Sequence, residues 1–164
     1  MTKRSLHTRG AAQGVTLVEL VVVMAIVAIL ATIAYPSYLN QVRKSKRAAA
    51  KSALLDAANR EEQYYFSNRG YADALNKLAG YSNATVFFDK DGSQTAVAAD
   101  AVYELSVAAV DDAAACGTAP CFQLQAVPHP GNDQENDACG TFTITSSNTR
   151  DVSNTTSTPV SECW

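Results

Sequence analysis

Histidine is almost absent: His7 and His129 are the only two among 164 residues. That is too few for a histidine metal centre or a histidine-based relay. There is no Walker loop, no GxGxxG and no CxxC, so the commonest nucleotide, dinucleotide and redox signatures are missing. No acid–base or nucleophile constellation stands out, which leaves an enzyme the least supported class and gives no reason to expect a cofactor or a metal. Charged residues are only 18% against 47% hydrophobic, which excludes a wholly disordered chain. Cysteine is missing until Cys116, and then Cys121, Cys139 and Cys163 follow. An even number confined to the last third points to two disulfides in an oxidising compartment; the alternative is four free thiols in a cytosolic protein.

Charge is also missing from Leu20 to Val42, a run of 23 residues. A helix of that length reaches roughly 34 Å, enough to cross a bilayer core. Its alanines, Ala25, Ala28, Ala31 and Ala34, are three apart, so the run has no Ala-x-Ala cleavage site of a secretory leader. Lys3, Arg4 and Arg9 precede the run, and Arg43, Lys44, Lys46, Arg47 and Lys51 follow it. A positive-inside count is therefore ambiguous, and the cysteines decide for a cytoplasmic N-terminus. Glu19 is the anomaly at the mouth of the run. An ionised group costs about 2.5–3.5 kcal/mol at a bilayer centre and less at its edge. Glu19 therefore either snorkels to the headgroups or needs a cationic partner.

One helix is predicted from Val15 to about Phe66, kinked at Pro36. Its alanine-rich second half favours helix, and Leu54, Leu55, Ala58, Glu62, Tyr65 and Phe66 have the spacing of one face against a sheet. Asn68-Arg69-Gly70 should end it. An irregular connection follows to Ala101, anchored by Leu75, Leu78, Tyr81, Phe87 and Phe88. Within it, Asp91-Gly92 suggests a hairpin between Val86-Phe87-Phe88 and Thr95-Ala96-Val97. Three clearer strands alternate: Tyr103, Leu105 and Val107; Phe122, Leu124 and Ala126; Phe142 and Ile144. That pattern predicts an α+β fold, an antiparallel sheet covered on one face by the long helix. The stretch from Pro128 to Asp137 reads as a turn-rich linker without core residues. The tail from Ser146 to Ser161 reads as a polar loop. A Cys139–Cys163 bond would staple it, worth roughly 3 kcal/mol by loop closure. Cys116 and Cys121 suit a bond across a hairpin tip, and Cys116 with Cys163 is the competing link.

The head carries residues for two binding chemistries, calcium and DNA. Asp89, Asp91, Asp133, Glu135 and Asp137 are carboxylates that could hold calcium, but the Asp-x-Asp-Gly lacks a distal Glu, so a solvated loop is preferred. From Ala53 onward there are five basic residues against fifteen acidic ones. That balance disfavours phosphate, although Lys90 with Arg150 is a candidate local strip for DNA. The basic cluster Arg43 to Lys51 reads as an interfacial anchor and a helix face that forms salt bridges.

Gly14-Val15-Thr16-Leu17-Val18-Glu19-Leu20, followed by the apolar run and Pro36, resembles the class III leader and first helix of type IV pilins. Tyr35-Pro36-Ser37-Tyr38, the stretch from Arg47-Ala48 through Glu61-Glu62-Gln63-Tyr64-Tyr65, Cys139-Gly140-Thr141-Phe142-Thr143-Ile144 and Glu162-Cys163-Trp164 resemble the PilE-type minor pilins of type IVa systems, relatives of the ComP DNA-uptake pilins. The resemblance implies a pilin fold: a long kinked helix on a sheet of about four strands, with a C-terminal loop bounded by a disulfide. It implies a cleaved leader 1–14, a transmembrane and filament-core helix 15–39, and a periplasmic, later extracellular, head 40–164.

The resemblance also implies site roles. A prepilin peptidase would cut between Gly14 and Val15 and methylate the Val15 amine. Glu19 would neutralise that amine on a neighbouring subunit. Val15 stands where the family usually has Phe, and Ala28 where it usually has Gly. The implied partners are major and minor pilins, the peptidase, the inner-membrane assembly platform and the inner membrane itself. The function implied is a structural minor subunit needed for pilus assembly, and hence for adhesion, twitching motility or DNA uptake. The alternatives are a ComP-like DNA-binding pilin and a type II secretion pseudopilin. A plain single-pass anchored protein would have no need of Glu19.

Overall fold

The computed structural model describes residues 14–153 and 158–164. The basic leader residues Lys3, Arg4 and Arg9 lie outside the described residues. The chain divides into two units, one ending at Leu39 and the other running from Asn40 to Trp164.

Helix α1 spans Leu17–Asn68 and runs on through Pro36. A proline there has no N–H to offer the turn before it. In the first unit the helix is exposed on every side; Leu17 is 78% exposed and Ile29 65%. This stretch is long and apolar enough to cross a membrane. Inside the run the Thr32 hydroxyl donates to the Ile29 carbonyl at 2.7 Å, which satisfies it within its own helix.

The second unit is a two-layer α+β head. Strands β1 (Thr85–Phe88), β2 (Gln94–Thr95), β3 (Tyr103–Val110), β4 (Phe122–Pro128), β5 (Thr141–Thr145) and β6 (Arg150–Ser153) form one sheet in the order β2-β1-β3-β4-β5-β6. All neighbours are antiparallel. Val86, Phe88, Tyr103, Leu105, Phe122, Leu124, Ala126, Phe142 and Ile144 point to one side and are buried. They form one core with Ala50, Ala53, Leu54 and Ala57 of α1. The register slips between Val107 and Ala109, which breaks the alternation at the end of β3.

Three expectations need correction. The sheet has six strands rather than about four, since the hairpin supplies β1 and β2 and the polar tail supplies β6. Strand β6 carries only one half-buried apolar residue, Val152, and owes its existence to backbone pairing with β5 and to Trp164, whose indole donates to the Asp151 carbonyl at 2.9 Å. The buried helix stripe is Ala50, Ala53, Leu54, Ala57 and Glu61, so Leu55 and Phe66 fall on the outside. Alanine on every face hides the period, and the small residues let helix and sheet approach closely. The supposed linker before β5 holds two buried side chains, Gln134 and Asp137. Helix α1 ends at the expected Asn68-Arg69-Gly70, where Arg69 takes the left-handed conformation, at φ 58°.

Both cysteine pairs are disulfides: Cys116–Cys121 in the β3–β4 loop, and Cys139–Cys163. The second holds the short helix α2 (Val160–Cys163) beside β6, where Trp164 meets Phe142 edge-on.

Candidate functional site

Two regions carry the sequence-predicted residues. The first is the start of α1. Gly14 and Val15 are exposed and precede the helix. The Thr16 hydroxyl accepts the Glu19 backbone N–H at 3.2 Å, and the Thr16 carbonyl accepts that of Leu20. Thr16 is therefore the N-cap, and Glu19 stands three residues in, where a carboxylate is favoured by the exposed N–H groups of the first turn. The Glu19 side chain is exposed and has no ion-pair partner among the described residues. Sequence reasoning passed over Thr16, although Thr-x-x-Glu before an apolar run is the signature of a capping box.

This arrangement presents the Gly14–Val15 bond and an exposed carboxylate within about one turn of each other, at the head of an apolar surface. Such a surface has to be covered by lipid or by other apolar helices. Inside either cover, a lone carboxylate is costly and a cation beside it offsets part of that cost.

The second region is the charged surface of the head. Arg47 grips Asp137 with two bonds, from Nε to Oδ2 at 2.7 Å and from its terminal nitrogen to Oδ1. The bond to Asp137 raises the Arg47 pKa against the opposing effect of burial. Lys46 pairs with Asp133 at 2.5 Å and holds that carboxyl below its usual range. Lys51 donates to the Cys163 carbonyl at 2.9 Å, and burial, with Arg47 nearby, lowers its pKa. The post-membrane cluster is thus turned largely inward as the clasp between α1, the β4–β5 loop and α2.

Further along the head, Arg60 is bound to Asp56 and the Ala79 carbonyl and lies over Tyr81. Lys77 pairs with Asp73, and Lys90 with Asp91. Arg150 covers the Trp164 ring at 5.4 Å. Lys90 follows β1 and Arg150 starts β6, at opposite edges of the sheet, so the expected strip of the two does not form. Among the described residues, Arg43, Lys44 and Arg69 make no ion pair.

The five calcium candidates are engaged elsewhere. Asp89 Oδ1 accepts the N–H groups of Asp91 and Ser93, and Glu135 Oε2 accepts that of Gly131. Asp91, Asp133 and Asp137 are the partners of Lys90, Lys46 and Arg47. His129, between β4 and the turn that follows it, contacts Glu104 at 2.5 Å and packs edge-on against Phe87.

Residues 36–143 match the family model described as type IV minor pilin ComP, DNA uptake sequence receptor. Residues 9–35 match the prokaryotic N-terminal methylation motif. No curated protein matches the chain. A solved structure described as a type IV pilin from Shewanella oneidensis is 20% identical, with 74% of this chain and 97% of that chain covered and a TM-score of 0.40.

Proposed function

Because this chain belongs to the family of the type IV minor pilin ComP, we propose that it joins its pilus through Glu19, after cleavage between Gly14 and Val15 and methylation of the Val15 amine. It is a minor pilin, anchored in the inner membrane by its apolar helix and then assembled with other pilins into a surface pilus. Pro36 is assigned the helix kink, and residues 15–39 the membrane and filament-core segment.

The observation that carries the reading is Glu19 itself. It is an exposed carboxylate one turn from Val15, on a residue whose backbone N–H is capped by Thr16, at the head of a helix whose apolar side chains have no cover of their own. Apolar surfaces slide past one another, and the small stripe Ala25, Ala28, Ala31 and Ala34 permits close approach without fixing register. One charge pair per neighbour fixes it. Glu19→Ala should be cleaved and inserted normally but lost from the sheared-pilus fraction. Glu19→Asp, with its shorter arm, should enter in part. Wild-type incorporation of Glu19→Ala would remove Glu19 from the assembly role.

A second reading is favoured by the family description, that of a receptor for a DNA uptake sequence. The head offers it few cations, since Lys46, Arg47, Arg60, Lys77 and Lys90 are each spent on a carboxylate. Titrating the mature chain in detergent with duplex DNA tests it. Micromolar binding that survives physiological salt and falls with Arg69→Ala or Arg150→Ala establishes a receptor role.

A further inference from the structure

The last two turns of α1 hold a carboxyl that neither reading uses. Glu61 is fully buried, at 0% exposure. Its Oε2 accepts the Ala72 backbone N–H at 2.8 Å, and its Oε1 is buried with no hydrogen-bond partner. The segment it touches follows the helix end closely, after the turn at Arg69 and Gly70. Tyr71 donates to Glu62 Oε1 at 3.1 Å, stacks on Tyr65 and meets Phe122 edge-on. Two carboxyls therefore fasten the same segment: Glu62 by the Tyr71 hydroxyl and Glu61 by the Ala72 backbone.

The titratable groups acting on Glu61 are Glu62 from its own helix, and Asp73 and Tyr71 from the segment packed over it. None is a cation, and the nearby Lys77 and Arg60 are bound to Asp73 and Asp56. An anion in such a place has one N–H donor and two like charges. A neutral acid loses far less by being there.

We propose that Glu61 is a proton-operated latch. As the neutral acid it holds the Tyr71–Asp73 segment against the end of α1. On losing its proton it takes up water, the segment lifts, and the Tyr71 and Phe122 rings are bared. The surface at this end of the head is then set by the surrounding pH.

Desolvation pushes Glu61 up to about 7, with Glu62 and Asp73 adding to the rise and the Ala72 N–H opposing it. The closed segment keeps a proton that the open one releases. Closure is therefore fully favoured below about 4.5, the value of a solvated glutamate, and is lost as pH rises to about 7. Between those limits opening rises about tenfold per pH unit, and it levels off above them.

The test uses the mature full-length chain in detergent. The Glu61 carboxyl carbon is titrated by NMR, and hydrogen exchange at Ala72 is followed with the intrinsic pH effect removed. The expected result is a Glu61 midpoint near 7 and protection at Ala72 that falls as pH rises, while that at Leu124 in the central sheet holds. Glu61→Gln, neutral and of the same shape, should keep Ala72 protected throughout. A Glu61 midpoint near that of a solvated glutamate overturns the proposal. So does flat Ala72 protection in the wild type, or an equal fall at Leu124. If the Gln variant fails to fold, the wild-type titration and exchange decide by themselves.

Discussion

Removing the Asp137 carboxylate should weaken the head more than removing any other single charge. Its side chain is 1% exposed, and that of Arg47 is 17% exposed. The two form a forked pair, the strong geometry for guanidinium and carboxylate. Asp137→Ala leaves Arg47 charged and largely buried, with no other carboxylate bonded to it. Breaking one side of a buried pair costs about 3–5 kcal/mol. Because the guanidinium keeps some access to water, the lower end applies, about 3 kcal/mol. At about 2–4 °C per kcal/mol for a chain of this size, the melting temperature should fall by about 6–12 °C. Trp164 is the only tryptophan and packs on Phe142, so its fluorescence reports the head directly. The assay is urea and thermal unfolding of the mature chain in detergent. Replacing both partners by apolar residues, Arg47→Met with Asp137→Leu, should recover most of the loss, since no charge is then left unpaired. A cost below about 1 kcal/mol for Asp137→Ala, the level of an exposed pair, would refute the reasoning.

Gly14→Arg should leave the leader attached and the chain in the inner membrane, read as an intact mass still beginning at Met1 in cells with active peptidase. Cys163→Ser opens a link spanning 24 residues and should cost about 3 kcal/mol, with exchange rising first in α2 and β6 rather than in β4. Gly92→Val should cost about 1–3 kcal/mol, because φ there is 81° and an added Cβ would lie 3.1 Å from that of Ala49; a melting temperature equal to wild type would show that the β1–β2 turn yields instead.

Much of the fold is legible in the residues because its signals are local. The 23-residue uncharged run needs no partner to be recognised, nor does the alternation of Tyr103 and Leu105, or of Phe122 and Leu124. The Gly14 to Glu19 spacing is likewise a property of six consecutive residues. The face of α1 was misjudged by one position because Ala48, Ala49, Ala50, Ala53, Ala57 and Ala58 surround the helix, and hydrophobicity alone does not rank them. Strand β6 was missed because Arg150-Asp151-Val152-Ser153 has almost no apolar content, and its pairing with β5 is a backbone event. The candidate strip of Lys90 and Arg150 failed for a related reason: strand order places the two at opposite edges, and order is not written in either residue.

The sequence by itself determined what depends on composition and short spacing: an apolar anchor, an acid at the mouth of it, and an oxidised head of mixed helix and antiparallel strand. Tertiary structure alone decided what each charge does. Lys46, Arg47 and Lys51 look like a cationic patch in the chain, yet folding brings Asp133, Asp137 and the Cys163 carbonyl onto them from far along the sequence and turns the patch into a clasp. Glu61 looks like one more surface acid beside Glu62, yet it is sealed under a loop that returns eleven residues later. Coulomb interaction and desolvation act through space, at distances of a few ångströms, and only the folded chain fixes which groups come that close.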